Sequence, residues 1–114
     1  MSITRLESNG RLAQATAFNG TVYLTGQVGP ETDSAEDQTR SVLASIDRLL
    51  ALAGTDKSKV LQATIWLADR NDFPSMNVAW DEWVDKSSPP ARSTAQVALL
   101  VPGQKVEITV VAAV

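Results

Sequence analysis

Short apolar runs with strand character alternate along this chain with two stretches of helical period. Residues 12–18 (LAQATAF) and 21–25 (TVYLT) flank Asn19-Gly20. That dipeptide suits the positive backbone angles of a tight hairpin turn, so the two runs are predicted to pair as antiparallel strands. Gly26, Gly29 and Pro30 then surround Gln27 and Val28, which should end the second strand and let backbone approach closely there. Over 34–53, Val42, Leu43, Ile46, Leu49, Leu50 and Ala53 recur at three-to-four spacing, the stripe of an amphipathic helix. Ser34 or Asp33 can cap it, Glu36 and Asp37 suit its positive end, and Gly54 can stop it.

Residues 59–68 (KVLQATIWLA) are apolar on both faces and rich in β-branched residues, which predicts an interior strand. After the loop DRND, Asp72 is expected to cap a second helix that tolerates Pro74 in its first turn. Phe73, Met76, Trp80, Trp83 and Val84 would form its apolar face. Pro89-Pro90 sets an extended approach to a strand near 92–99, and the turn PGQ leads into KVEITVVAAV, where Val106, Ile108 and Val110 alternate with Glu107 and Thr109.

The order hairpin, helix, strand, helix, strand, strand predicts an α/β or α+β sandwich of two layers, with both helices on one face of a mixed sheet. No helix remains to cover the other face. With Val111, Ala112 and Ala113 adding apolar area, that face is expected to be buried by further copies of the chain. No linker or repeat interrupts residues 1–114, which are read as one domain of 114 residues.

Composition narrows the chemistry. With no cysteine and no histidine, disulfides, thiolate nucleophiles, iron–sulfur ligation, Cys/His zinc sites and His-centred acid–base catalysis are excluded. No Asp/Glu spacing resembles a calcium loop, so neither a metal nor a cofactor is expected. The net charge is −3 and no run of Lys or Arg forms a basic stripe, which argues against nucleic acid as the main partner. The longest apolar runs are far short of a membrane span and the N-terminal segment lacks a signal-peptide core. A cytoplasmic location is the default expectation.

Among single residues, Arg92 carries the most information. It lies just past the double proline, where polar loop becomes apolar strand, and a guanidinium there needs a partner that matches its planar fork. Two readings stand side by side: an ion pair with a carboxylate of the protein, or recognition of a ligand carboxylate. In the turn from Thr25 to Gly29, the Thr25 hydroxyl or a backbone N–H near Gly26 could meet a polar ligand group, or the glycines could serve the turn alone. Asn77 could hydrogen-bond a ligand or lock a loop if its helix closes over the site. Trp66, Trp80 and Trp83 are read as core or interface anchors, because no basic residues are interleaved with them. Glu107 could be a solvated residue, the partner of a cation, or a general base.

Three segments together resemble the RidA/YjgF family: TGQVG, DKSKVLQATIWLADRNDFPSMNVAWDEWV and PPARSTAQVALLVPGQKVEITVVAAV. The likeness runs from about residue 5 to 114 and is strongest to the small YoaB-like branch, through FPSMNVAWDEW and KVEI. The resemblance implies a chorismate-mutase-like fold, a homotrimer with ligand clefts between subunits, and hydrolysis of reactive 2-imino acids to 2-oxo acids and ammonia. It gives Arg92 the role of binding the substrate carboxylate and gives ligand contacts to Thr25 and Asn77, with Gly26 of the same turn as a further ligand-binding candidate. Thr94 and Glu107 are the remaining catalytic candidates. The deaminase branch carries a tyrosine where this chain offers Leu12, a cysteine where it has Thr94, and a water-positioning glutamate where it has Thr109. RNA cleavage, associated with parts of the family, is disfavoured by the acidic composition and the missing histidine.

Overall fold

The Asn19-Gly20 turn sets the register of half the sheet. Both residues have positive φ, 54° and 79°, the pair of left-handed conformations that a two-residue I′ turn requires. In the computed structural model, which describes residues 2–114, this turn joins β2 (Ala13–Phe18) to β3 (Thr21–Leu24), with Ala15 opposite Leu24 and Ala17 opposite Val22. A strand that the hydrophobic pattern does not reveal, β1 (Thr4–Ser8), pairs antiparallel with β2 at the sheet edge. Only Leu6 of TRLES is even half-buried, so the segment has no apolar period to read.

The glycine turn also differs from expectation. Gln27 and Val28 form a two-residue strand, β4 (Gln27–Val28), that pairs with the last strand. Its length is too short to leave a period in sequence. The helix α1 (Ala35–Leu52) follows, its N-terminus capped by the Ser34 hydroxyl, which accepts from the Asp37 N–H, and its end marked by Gly54 at φ 86°. Val42, Leu43, Ile46, Leu49 and Leu50 of its stripe are buried, as the period predicts. Each such side chain contributes about 1.5–3 kcal/mol relative to remaining exposed.

The interior strand β5 (Val60–Leu67) and the helix α2 (Phe73–Trp83) appear where predicted. Asp72, however, makes no side-chain cap; Asp69 instead accepts from the Asn71 N–H and caps a single 3₁₀ turn, Arg70–Asp72, that leads into α2. The strand β6 (Ala91–Gln96) runs parallel to β5 and stops short of residue 99. Val97 donates to the Leu67 carbonyl, the last residue of β5, and the chain beyond it has lost its ladder partner. The final strand β7 (Val106–Ala113) lies between β3 and β5.

The sheet order is β1-β2-β3-β7-β5-β6, antiparallel except for the β5–β6 pair, and both helices pack on one face. Val106, Ile108, Val110 and Ala112 of β7, Ala63, Ile65 and Leu67 of β5, and Val22 and Leu24 of β3 form the buried side of this two-layer α+β sandwich. The alternate residues face away from the helices. There Tyr23 and Leu61 are exposed, and Trp66, Thr109 and Val111 are half-buried. Among the described residues no helix is long and apolar enough to cross a membrane, and no three acidic side chains converge to hold a metal ion.

Candidate functional site

Register decides which candidate side chains can meet. In the parallel β5–β6 ladder Ala63 stands opposite Arg92 and Ile65 opposite Thr94. Arg92 and Thr94 therefore lie on the helix side of an edge strand, beneath α2. Glu107 stands opposite Trp66 in one ladder and opposite Val28 in another, so it lies on the open side. Arg92 and Thr94 are separated from Glu107 by the sheet itself. A single chain does not bring them to one ligand.

On the helix side the structure builds a socket around one cation. The Arg92 guanidinium donates to Asn77 Oδ1 at 2.9 Å. It also sits 5.2 Å from the Trp80 ring centroid and 5.8 Å from that of Phe73, within the range of cation–π attraction. Phe73, Asn77 and Trp80 are spaced i, i+4, i+7 on α2, which puts all three on one helix face. That spacing is present in the sequence, where Phe73 and Trp80 count toward the apolar face and Trp80 as a core or interface anchor, with nothing to show that a cation lies against their rings. Phe73 is in fact 41% exposed, so its ring covers Arg92 and does not fill the core.

No ion pair among the described residues includes Arg92. The exposed cations that do pair, Arg40 with Glu36, Asp37 and Glu82, and Arg48 with Glu7, all lie on other elements. Asn77 presents a neutral amide oxygen, which orients the guanidinium without neutralising it. The remaining donors of the fork face a half-buried environment in which a carboxylate is the best-matched acceptor.

The open side holds a second cluster. A Cβ at Gly26 would overlap the Glu107 carboxylate, so glycine is required at that position for Glu107 to keep its place. The Thr25 hydroxyl donates to the Ala13 carbonyl at 2.7 Å; the Gln27 amide donates to Gln14 Oε1 and to the Thr25 carbonyl, each at 2.9 Å. Glu107 makes none of the hydrogen bonds or ion pairs described, and burial pushes its carboxyl above the ordinary carboxylate value. A folded-state value raised in this way contributes stability that is present below the unfolded-state value and lost as pH rises through the folded-state one. Glu107→Gln is therefore expected to remove a pH-dependent loss. The urea midpoint of the wild type should fall relative to that of the variant as pH rises above the ordinary carboxylate value of 4.5, and parallel midpoints there would show Glu107 to be fully solvated.

Known proteins share the sequence and fold of this chain. The Endoribonuclease L-PSP family profile matches residues 2–114. The RutC family protein YoaB of Escherichia coli K12 is 45% identical over 114 residues, covering 100% of each chain. A 2-iminobutanoate/2-iminopropanoate deaminase from Capra hircus is 36% identical over 110 residues, covering 90% of this chain and 80% of that one. The crystal structure of a YjgF-family protein from Neisseria meningitidis matches with a TM-score of 0.96 at 40% identity, over 99% of this chain and 95% of that chain. Fold, length and sequence agree throughout, and the chain belongs to the RidA/YjgF family, in its YoaB-like branch.

Proposed function

We propose that this protein binds small 2-imino and 2-oxo acids through a contact between the ligand carboxylate and Arg92, and that it hydrolyses the imino acids to 2-oxo acids and ammonia. The observation that carries the reading is a half-buried guanidinium, oriented by Asn77 and two aromatic rings, with no carboxylate of its own. The deaminase relatives support the substrate class.

The chemistry asks little of the protein. A protonated imine carbon is already electrophilic; the oxygen of water adds to it, one of its protons passes to the nitrogen, and ammonia leaves as the carbonyl forms and the remaining hydroxyl proton goes to solvent. Holding the carboxylate fixes that carbon relative to a water, and such positioning alone accelerates the step. On the Arg92 side, Thr94 is one residue pair further along the same strand face and supplies a hydroxyl to the water or the nitrogen. Thr25, Gly26 and Glu107 enter this reading from a neighbouring copy, in the clefts of a homotrimer whose subunits cover one another's open sheet faces. The exposure of Tyr23 and Leu61 on that face, at 50% and 53%, supports the arrangement.

A second reading has its own observation. Thr109, on the same open face as Glu107, stands where the deaminase branch has its water-positioning glutamate. Binding would then persist without hydrolysis, and the protein would hold or sense small carboxylates. One assay separates the two. When an amino-acid oxidase generates 2-imino acids in situ, the wild type is expected to release ammonia faster than buffer does, and Arg92→Ala is expected not to. Rates no faster than buffer at high protein concentration, together with calorimetric binding of 2-oxobutanoate, would establish the binding-only function.

A further inference from the structure

We infer that Arg70 extends the Arg92 site to accept a second carboxylate, so that the favoured ligands are short 2-imino and 2-oxo dicarboxylates. This inference rests on the carboxylate site proposed at Arg92. A cavity of about 470 Å³ adjoins that site along β6, and its lining includes Arg70, Phe73, Thr94 and Gln96. Phe73 belongs to both places: its ring covers Arg92 and walls the cavity. Thr94 bridges them, since its side chain shares the strand face of Arg92.

Arg70 is tied into the wall of this cavity by its backbone. Gln96 Oε1 accepts from the Arg70 N–H at 2.8 Å, which ties the turn before α2 to the strand that carries Arg92. The Arg70 side chain is exposed. It makes no ion pair among the described residues, even with Asp69 and Asp72 of its own turn. The cavity therefore has one cation, Arg70, in its own lining and a second, Arg92, just beyond the shared Phe73 and Thr94.

The two cations flank a short stretch of strand. Arg92 and Gln96 are four residues apart on one strand face, about 13 Å between backbone positions at a rise of roughly 3.3 Å per residue, and the Arg70 N–H is hydrogen-bonded to Gln96. A short diacid that pairs one carboxylate with Arg92 runs along this face toward Arg70 with the other. A monocarboxylate of the same size would engage Arg92 and leave Arg70 to water.

Calorimetry on the full chain with 2-oxoglutarate and 2-oxobutanoate tests this. The wild type is expected to bind the diacid about tenfold more tightly than the monoacid. Arg70→Ala is expected to bring the ratio near one while leaving 2-oxobutanoate affinity unchanged, and Arg92→Ala to weaken both ligands. Because Arg70 is exposed, the variant should keep the wild-type far-UV spectrum. Equal wild-type affinities for the two ligands, or a tenfold preference that survives in Arg70→Ala, would overturn the role of Arg70 and leave the Arg92 site standing. Binding of neither ligand by the wild type would overturn both.

Discussion

Arg92→Ala is expected to weaken 2-oxobutanoate binding by roughly ten- to a hundredfold, the loss of one charge-assisted, two-point contact of about 1.5–3 kcal/mol. Arg92→Lys should recover only a small part. An ammonium cannot make two parallel contacts to a carboxylate, nor can it lie flat between Phe73 and Trp80 while donating to Asn77. The fold should tolerate both changes, because Arg92 sits on an edge strand, half-buried, with no ion pair to orphan. Calorimetry with 2-oxobutanoate, alongside circular dichroism, reads the two quantities separately. If alanine and wild type bind equally, the ligand carboxylate lies elsewhere. If alanine unfolds the protein, the socket is a structural device.

Gln38→Leu is expected to cost about 2–3 kcal/mol of stability, although the new side chain has nearly the same volume. Gln38 is fully buried in α1. Its amide nitrogen donates to the carbonyls of Asp33 and Gly103, at 3.0 and 2.9 Å, and its oxygen accepts from the Lys105 N–H at 2.8 Å. Lys105 Nζ also donates to the Asp33 carbonyl, so that group keeps a partner, whereas the Lys105 N–H and the Gly103 carbonyl lose the bonds that Gln38 supplies. The amide thus replaces a missing ladder: it supports the segment after Gln96, where pairing with β5 has ended, and guides the chain into β7. Urea denaturation gives the free energy, and faster hydrogen exchange at the Lys105 amide would localise it. A change within about 0.5 kcal/mol would mean that water takes over these contacts.

These two residues differ in how plainly the sequence declares them. Arg92 stands out because a cation at the junction of a proline loop and an apolar strand requires an explanation. Gln38 does not, since it lies among polar residues near the start of a helix, at a position that the apolar stripe leaves unmarked. Its role comes from a backbone more than sixty residues away. Phe73 and Trp80 are intermediate: their spacing with Asn77 places them on one helix face, but only the packed structure puts the Arg92 guanidinium against their rings.

The hairpin at Asn19-Gly20, both helices, the interior strand and the sheet face left without helices were legible in the amino-acid sequence alone, and so was Arg92 as the charge that needs a partner. Each of these follows from local chemistry: a turn that needs positive φ, a 3.6-residue or two-residue apolar period, or one charge in an apolar setting. The edge strand β1, the two-residue β4, the early end of β6 and the Gln38 bridge came from packing, because these depend on which distant backbone lies alongside. Packing alone also divided the site. Periodicity tells which residues share a face within one strand, but not which faces of different strands coincide. The β5–β6 and β5–β7 registers put Arg92 and Glu107 on opposite sides of the sheet, so residues of a shared family motif meet only if a second chain supplies one of them.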